Sequence, residues 1–210
     1  MLPTLFKPKS FADLIGPASR AGQLAQLTIN KATKHGAVVK ELFYGPPGVG
    51  KSALAKLLAS GIAGHPLAVR EISGLKCTVD FVQSIMDAEK LGSLFGGVQV
   101  VLVQELDRTP AAARDLLLQY LDELRPGRAF IATSNLNLEE LPERLHTRFQ
   151  VTKINGPSDD EAAKFLNNRW PEIPMATCRM LAMGCGGNIR ALLGDAEKWL
   201  DAKELNLLAA

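Results

Sequence analysis

Eight consecutive residues in the first quarter of the chain combine the residue types that bind phosphate groups. They match the pattern G-x-x-x-x-G-K-[ST] and are Gly45, Pro46, Pro47, Gly48, Val49, Gly50, Lys51 and Ser52. Glycines let backbone N–H groups turn toward phosphate oxygens because no Cβ stands in the way. In this pattern Lys51 is expected to contact the β- and γ-phosphates, and the Ser52 hydroxyl to bind Mg²⁺. The motif therefore predicts a binding site for a nucleoside triphosphate.

The elements that flank this loop favour the same interpretation. Residues 41–44 form a short run typical of a buried strand, and residues 52–59 form a helical pattern. A helix that begins directly after the loop points its N-terminus at the phosphates, where backbone N–H groups and the helix dipole favour negative charge. The alternative is a Gly/Pro-rich turn without a ligand, and the strand and helix on either side argue against it.

The composition is that of an ordinary globular protein. The 210 residues are 47% hydrophobic and 22% charged, with a formal net charge of +2, which is too mild to indicate nucleic acid or membrane binding by itself. No apolar run approaches the roughly 20 residues that span a bilayer, and the N-terminus has no signal-peptide pattern, so we expect a cytoplasmic protein. Cys77, Cys178 and Cys185 lack metal-ligand spacing and are expected to be buried thiols.

Apolar runs alternate with helical stretches over most of the chain, as a parallel α/β sheet requires. Strands are predicted at residues 41–44, 67–72, 98–103, 129–133 and 150–154. A helix is predicted at residues 79–90, with Thr78 as its N-cap. Another is predicted to end near residue 124 and to begin with Thr109 as cap and Pro110 in its first turn.

A turn sequence marks the predicted boundary between two domains. The turn is made of Asn155, Gly156 and Pro157, and the residues after it read as helices only. Ser158 and Glu161 have the spacing of a capping box. The helix from residue 188 carries an apolar stripe, interpreted as core packing, of Ile189, Leu192, Leu193, Ala196, Trp199 and Leu200. We therefore expect an α/β domain over residues 1–156 and a small helical lid over residues 157–210.

In their order along the chain, these motifs resemble those of the AAA+ ATPases, most closely the ATPase subunits of clamp loaders. The resemblance covers nearly the whole chain and implies ATP and Mg²⁺ as cofactors. It also implies a three-layer P-loop domain with a five-stranded parallel sheet in the order 5-1-4-3-2, followed by an all-helical lid. Residues 7–16 are similar to the segment that wraps the adenine base in this family, and Ile15 is the residue assigned to base binding.

The apolar run that ends at Gln104 and Glu105 resembles the Walker B strand, which in the family ends in Asp-Glu. Glu105 occupies the position of the residue that polarises the attacking water. Gln104 replaces the aspartate that holds Mg²⁺, and because its amide oxygen carries no charge, it is expected to hold the ion weakly. Ser52 and the phosphates would supply the other metal contacts. The alternative is a buried strand that ends in a surface glutamate.

Three more residues match positions that act near the γ-phosphate in this family. Asn135 matches sensor 1 and is able to orient water, although Asn is also an ordinary turn residue. Arg148 matches the arginine finger, which acts on ATP bound by a neighbouring subunit; a solvated arginine and the nearby Arg144 are the alternatives. Arg190 matches the sensor 2 arginine of the lid, with surface ion pairs as the alternative.

One further position concerns control of the glutamate. Ser73 follows the second predicted strand, where the family carries a polar residue that restrains the catalytic glutamate until DNA arrives. A serine after a strand is usually a turn residue, and that remains the plainer interpretation.

Together these residues predict an ATP-hydrolysing oligomer, because an arginine finger has little purpose in a monomer. The resemblance implies a ring or spiral of identical subunits that loads or remodels a protein on DNA, with a sliding clamp or another replication or mobile-element protein as partner. Clamp loaders usually continue into a helical collar domain. We expect this protein to have no collar domain and to be a shortened relative that assembles through its ATPase interface.

Two alternative functions stay open. An ATP-dependent assembly module with little turnover is favoured by Gln104. A protein remodeller, or a helper ATPase for helicase loading or transposition, would be supported by an aromatic pore loop, for which Phe95 in the glycine-rich residues 91–97 is a weak candidate.

Overall fold

The structure is a computed structural model that describes residues 6–90 and 97–205. Its strands are β1 (Val39–Tyr44), β2 (Val69–Ser73), β3 (Gln99–Gln104), β4 (Arg128–Ser134) and β5 (Gln150–Lys153). Its α-helices are α1 (Gly16–His35), α2 (Lys51–Ala63), α3 (Val79–Lys90), α4 (Ala111–Asp122), α5 (Glu143–His146), α6 (Asp159–Arg169), α7 (Met175–Cys185) and α8 (Ile189–Glu204). Phe95, the pore-loop candidate, lies outside the described residues.

The strands form one parallel five-stranded sheet in the order β2-β3-β4-β1-β5. This is the predicted order counted from the opposite edge, so the predicted fold class is confirmed. Because all strands are parallel, their carboxyl ends meet at one edge of the sheet. Val103 of β3 pairs with Ala132 of β4, which brings Gln104 beside Thr133 at that edge.

Helices cover both faces of the sheet because the central strands are apolar on both sides. Helices α1 and α2 pack on one face, against side chains that include Phe43 and Ile131. Helices α3, α4 and α5 pack on the other face, against the neighbouring strand residues Leu42 and Phe130. The alternation along each strand therefore produces the three predicted layers.

Helices α6, α7 and α8 follow the sheet and enclose an apolar cluster of their own, which includes Leu166, Cys178 and Leu192. The predicted capping box opens α6. Ser158 Oγ accepts a hydrogen bond from the Glu161 N–H at 3.3 Å, and the Glu161 carboxylate accepts one from the Ser158 N–H at 2.9 Å. These four backbone and side-chain groups fix the start of the helix that leads away from the sheet.

The N-terminal segment connects the C-terminal helices to the rest of the molecule. The Phe6 ring packs edge-on against Phe165, with 5.3 Å between the ring centroids, and the Arg169 guanidinium lies 5.2 Å from the Phe6 centroid. Arg20 of α1 forms an ion pair with Glu161 of α6 at 2.8 Å. The segment before α1 and α1 itself therefore both contact α6.

Of the predicted element starts that differ from the structure, those of β2 and α4 differ for identifiable local reasons. Strand β2 begins at Val69 because Pro66 opens a short 3-10 turn in the residues before it. Thr109 is not the N-cap of α4, since Pro110 takes that position. The Thr109 N–H instead closes the preceding turn by donating to the Leu106 carbonyl at 3.0 Å. The cap predicted for α3 is present, because Thr78 Oγ1 accepts a hydrogen bond from the backbone of the new helix.

Helix α1 is not predicted from the sequence. Its buried residues are mostly small, which weakens the periodic apolar signal, and they are Ala18, Gly22, Ala25, Ile29 and Ala32. Proline in its first turn and Gly36 at its C-cap, with a left-handed φ of 62°, are the signals that could have revealed it.

The three cysteines are free and buried, as predicted. Over residues 6–90 and 97–205, every helix is too short or too polar to cross a membrane.

Candidate functional site

A cleft of about 340 Å³ lies where the carboxyl edge of the sheet meets the start of α8. Part of its lining is apolar and comes from the N-terminal segment and α8, with Leu14, Ile15 and Leu193 among the residues. Another part is charged and includes Lys51 and Arg190. A cleft that combines apolar walls with fixed positive charge suits a ligand that has an aromatic base and a phosphate chain.

The loop between β1 and α2 is built from backbone rather than side chains. Gly45, Gly48 and Gly50 all have positive φ values, of 138°, 79° and 99°. At Gly48 two features disfavour a side chain. One is the positive φ, and the other is that a Cβ there would lie 1.9 Å from Asn188 Oδ1. The loop ends at Lys51, the first residue of α2, so the N-terminus of that helix faces the cleft.

Lys51 is almost completely buried, with 5% of its surface exposed. Its ammonium donates hydrogen bonds to the carbonyls of Gly45 at 2.8 Å and Pro46 at 2.6 Å. Burial lowers the pKa of Lys51 to about 8; the negative charge of Asp107 opposes this shift, Arg190 adds to it and Glu105 opposes it. The side chain is thus held inside the loop, with its charge directed at the ligand position.

Glu105, at the end of β3, has a backbone conformation that is unusual for a residue with a side chain. Its φ is 56°, and among the described residues it is the non-glycine residue with a positive φ. Such a conformation costs about 1–3 kcal/mol and often occurs at functional sites. The Glu105 N–H donates to Thr133 Oγ1 at 3.0 Å, which helps to hold the strained turn.

Two side chains hold the Glu105 carboxylate. One oxygen accepts a hydrogen bond from Asn135 Nδ2 at 3.4 Å, and the other accepts one from Arg108 Nη1 at 3.0 Å. Glu105 and Asn135 both line the cleft. Ser73 is the N-cap of the turn after β2, and its role in restraining Glu105 stays a prediction.

The turn after β2 supports Glu105 from behind. The Glu105 carbonyl oxygen lies 1.9 Å from where a Cβ of Gly74 would stand. A glycine is therefore required at position 74 for the two turns to pack together.

Gln104 lies beside the cleft and is engaged with neighbouring strands. Its Oε1 accepts a hydrogen bond from the Thr133 hydroxyl at 3.2 Å, and its Nε2 donates to Glu71 at 3.5 Å. Glu71 is also paired with Lys56 at 2.7 Å. Thr133 therefore joins Gln104 to Glu105, and the metal role of Gln104 stays a prediction.

Asp107 and Thr133 are site residues that were missed from the sequence. The Asp107 carboxylate accepts a hydrogen bond from the Asn135 N–H at 3.2 Å, which ties the turn after β3 to the end of β4. The signal that could have found both is the rule that polar residues at the ends of adjacent parallel strands meet at one edge.

Arg148 lies away from the cleft of its own chain. Its Nε and Nη2 donate to the two carboxylate oxygens of Asp122 at 2.7 and 2.6 Å, and its Nη1 contacts the Arg144 carbonyl. Arg148 also holds the pKa of Asp122 below its usual value, mainly through the hydrogen bond. Arg144, the alternative finger, pairs with Asp115 at 3.0 Å.

The structure places most of the predicted site residues in the lining of the cleft and the others outside it. Those that line the cleft are Ile15, Pro47, Gly48, Gly50, Lys51, Ser52, Glu105, Asn135 and Arg190. Arg190 is also tied to the loop by its backbone N–H, which donates to the Gly48 carbonyl at 3.4 Å. Val49 is buried in the core of the sheet domain. Ile189 and Leu193, interpreted from the sequence as core, line the cleft as well.

These residues fit a triphosphate. The glycine loop leaves space where a Cβ would otherwise stand, and the cleft offers the charges of Lys51 and Arg190. Among the described residues, no cluster of three His, Cys, Asp or Glu side chains is placed to hold a metal. In the predicted arrangement, Mg²⁺ would be held by phosphate oxygens together with the Ser52 hydroxyl, with Gln104 as a weak further contact.

Comparison with known proteins identifies the family. Residues 41–156 match the family described as "ATPase family associated with various cellular activities (AAA)". The chain belongs to this family. The predicted AAA+ ATPase class is therefore confirmed at the level of the family.

The names of the similar proteins concern Holliday junction branch migration and replication-associated recombination. The chain is 27% identical, over 165 residues, to the "Holliday junction branch migration complex subunit RuvB" of Mycoplasma pneumoniae, a match that covers 76% of this chain and 51% of the relative. It is 26% identical, over 117 residues, to the "Replication-associated recombination protein A" of Haemophilus influenzae, covering 56% and 25%. The chain thus spans about half of the first relative and a quarter of the second.

A similar solved structure shows the fold. The Thermotoga maritima RuvB Holliday junction branch migration motor superimposes with a TM-score of 0.76 at 20% identity, covering 95% of this chain and 66% of that one. The relatives named here are a branch-migration subunit and a recombination protein, so they do not support the finer likeness to clamp loaders.

Proposed function

We propose that this chain binds ATP with Mg²⁺ in the cleft and hydrolyses it at the interfaces of a homo-oligomer that acts on DNA. The observation that carries the proposal is the division of the predicted catalytic residues. Glu105 and Asn135 line the cleft with Lys51, whereas Arg148 lies elsewhere on the same chain. A site completed by the arginine of a neighbouring subunit accounts for this division.

Within one subunit, the residues of the cleft have separate roles. Lys51 exchanges its two carbonyl partners for phosphate oxygens, which gives charge-assisted hydrogen bonds. Glu105 polarises the attacking water, and Asn135, already 3.4 Å from that carboxylate, orients it. Arg190 brings the start of α8 onto the phosphates. Bound Mg²⁺ supplies neutralisation of the charge that develops on the phosphate oxygens.

Arg148 supplies a fixed positive charge to the site of the next subunit. Its bidentate pairing with Asp122 leaves the guanidinium in a defined orientation on the protein surface. Arginine fingers contribute about 10³–10⁵-fold to the rate of phosphoryl transfer. Hydrolysis is therefore expected to depend on assembly.

The assignment to DNA is supported by the names of the similar proteins, which concern Holliday junctions and replication-associated recombination. The narrower proposal, that the protein loads a sliding clamp onto DNA, rests only on the resemblance of its motifs to those of clamp loaders. We also propose that the helices from residue 157 onward act as the lid domain, because they enclose their own apolar cluster and contribute Arg190 to the cleft.

Mixing two inactive variants tests the shared site. Glu105→Gln and Arg148→Ala should each be nearly inactive alone. Mixed oligomers contain interfaces in which an intact Glu105 meets an intact Arg148 of the other subunit, so the mixture should recover part of the phosphate release. Arg144→Ala serves as the matched control and should keep most of the activity.

The oligomer itself should be visible by sedimentation. A non-hydrolysable ATP analogue should raise the mass above that of a monomer. A monomer under every nucleotide condition, or a mixture that stays inactive although both variants bind ATP, would exclude the shared site.

The choice of DNA substrate is tested by comparing a four-way junction, a linear duplex of equal length, a primed template and a single strand. Binding should strengthen with the ATP analogue and weaken as salt rises, because phosphate contacts release counter-ions. Since the net charge is only +2, a single subunit should bind weakly and the assembled form more tightly. DNA binding that ignores ATP on all four substrates would favour a role in protein remodelling.

A second candidate function is an ATP-dependent assembly module with little turnover. The observation in its favour is that Gln104 is uncharged and engaged with Thr133 and Glu71. Assembly in ATP together with a turnover that neither DNA nor high Mg²⁺ raises would support this candidate instead.

A further inference from the structure

The end of β3 lacks a charge that a metal-bound triphosphate would use. Gln104 is neutral, and both ends of its amide are occupied, by the Thr133 hydroxyl at 3.2 Å and by Glu71 at 3.5 Å. A neutral amide oxygen supports a hard cation less well than a carboxylate does. Any compensating negative charge must come from a neighbouring residue.

Asp107 is the nearby carboxylate with the required connections. It lies three residues after Gln104, on the short turn Leu106–Arg108. Its Oδ1 accepts a hydrogen bond from the Asn135 N–H at 3.2 Å, so it holds the residue that lies 3.4 Å from Glu105. Its negative charge also opposes the lowering of the Lys51 pKa that burial causes.

The turn that carries Asp107 is fixed from two sides. The Arg108 N–H donates to the Glu105 carbonyl at 2.9 Å, and that carbonyl packs against Gly74. The backbone that carries Asp107 is therefore coupled to that of Glu105. The hydrogen bond from the Asn135 N–H then sets where the Asp107 carboxylate lies.

We propose that Asp107 is a positioning residue that holds Asn135 at the cleft and supplies, beside a metal-bound triphosphate, the negative charge that Gln104 lacks. The proposal rests on the function proposed above. In this arrangement Asp107 offsets the positive charge of Lys51 and favours the Mg²⁺ complex of the nucleotide over the free nucleotide.

The test measures ATP affinity by calorimetry with EDTA and with saturating Mg²⁺, and uses the ratio of the two dissociation constants. The variants are Asp107→Asn, which keeps the shape and a hydrogen-bond acceptor for the Asn135 N–H, and the double variant Gln104→Asp/Asp107→Asn. Asp160→Asn is the matched control, because this carboxylate pairs with Lys164 on α6. Thermal unfolding of each variant shows whether the fold is kept.

Asp107→Asn should reduce the gain in affinity that Mg²⁺ gives by about 10-fold or more, in the range that residues around a metal site typically contribute. Its affinity in EDTA should be unchanged or slightly higher, since one negative charge near the phosphates is removed. The double variant should recover most of the Mg²⁺ gain, and Asp160→Asn should match the wild type.

Two results would overturn the proposal. An unchanged Mg²⁺ gain in Asp107→Asn would mean that its charge does not act on the metal-bound nucleotide. A loss that Gln104→Asp fails to recover would mean that the charge of Asp107 does not stand in for the charge that Gln104 lacks. If the wild-type protein binds no ATP in either condition, the proposed function fails as well, which the same experiment distinguishes.

Discussion

The loop before α2 and the end of β3 face the same cleft but are built in different ways. In the loop, the geometry comes from glycines with positive φ, and the ligand groups are backbone N–H groups plus Lys51. At the end of β3, the geometry comes from side chains that join three strands, through Thr133, Asn135 and Glu71. The loop is a local structure, whereas the end of β3 is a network.

This difference predicts how each region responds to substitution. The geometry of the loop depends on its backbone conformation. Its chemistry depends mostly on one charged side chain, that of Lys51. The network depends on the identity and charge of each member, so changes there should alter rate and metal dependence while ATP binding persists.

Between these two regions, the largest effect is expected from Glu105→Gln. The amide keeps the size of the side chain but is a poor base, and general bases contribute about 10²–10⁴-fold to rates. Single-turnover phosphate release should fall by about that factor, while ATP affinity by calorimetry stays within a few-fold. Glu123→Gln, which changes an exposed carboxylate that pairs with Gln119, should have the wild-type rate. Full activity in Glu105→Gln would show that β3 has been assigned wrongly.

Lys51→Ala should have the next largest effect, and on binding rather than rate. Charge-assisted hydrogen bonds contribute about 1.5–3 kcal/mol each, so the loss of one corresponds to roughly 10- to 100-fold in ATP affinity. The circular dichroism spectrum should not change. Lys34→Ala, at the exposed end of α1, is the control and should bind ATP as the wild type does. Unchanged affinity in Lys51→Ala would refute the phosphate-binding role of the loop.

The pKa of Lys51 also predicts how ATP affinity depends on pH. Because the pKa of Lys51 is about 8 in the free protein, its positive charge is present below that pH and is lost above it. ATP affinity should therefore decrease between pH 7 and pH 9, and ATP binding near pH 8 should take up protons. Calorimetry in buffers with different ionisation enthalpies measures this uptake. The Lys51→Ala variant should show no such proton uptake. Equal uptake in the variant and the wild type would mean that another group takes up the proton.

Gln104→Asp tests the network through the metal. A carboxylate at this position should lower the Mg²⁺ concentration needed for half-maximal hydrolysis by about 10-fold. This reduction in the Mg²⁺ requirement is limited, because the new carboxylate cannot donate a hydrogen bond to Glu71 and is repelled by the Glu71 carboxylate. Gln119→Glu, an exposed change on α4, controls for added negative charge. Identical Mg²⁺ titrations for the wild type and Gln104→Asp would mean that the residue at position 104 has no effect on the Mg²⁺ requirement.

The smallest effect is expected from Arg108→Gln. The ion pair with Glu105 is exposed, and such pairs contribute about 0–1 kcal/mol, so breaking it should change the rate by no more than about 5-fold. Because Arg108 competes with water for the carboxylate, the basal rate should rise. Arg114→Gln on the neighbouring helix α4 should leave the rate unchanged. A large decrease would show instead that Arg108 holds Glu105 in its active position.

The sequence by itself determined the phosphate-binding loop, the five strands and the capping box of α6. Each depends on residues close together in the chain: glycines before a lysine, apolar runs, and Ser158 three residues before Glu161. The strand order also followed, through the resemblance of the motifs to a known family. Helix α1 did not, because its stripe of small residues gives little contrast between its buried and exposed faces.

Only the tertiary structure decided how the side chains at the carboxyl edge meet. Asp107 contacts Asn135 across 28 positions, Gln104 contacts Glu71 across 33, and Arg148 contacts Asp122 across 26. These contacts depend on the register of neighbouring strands and on where each turn places its side chain. No local pattern encodes that information, so the sequence predicted most of the candidates, and the fold added Asp107 and Thr133 and decided which residues meet.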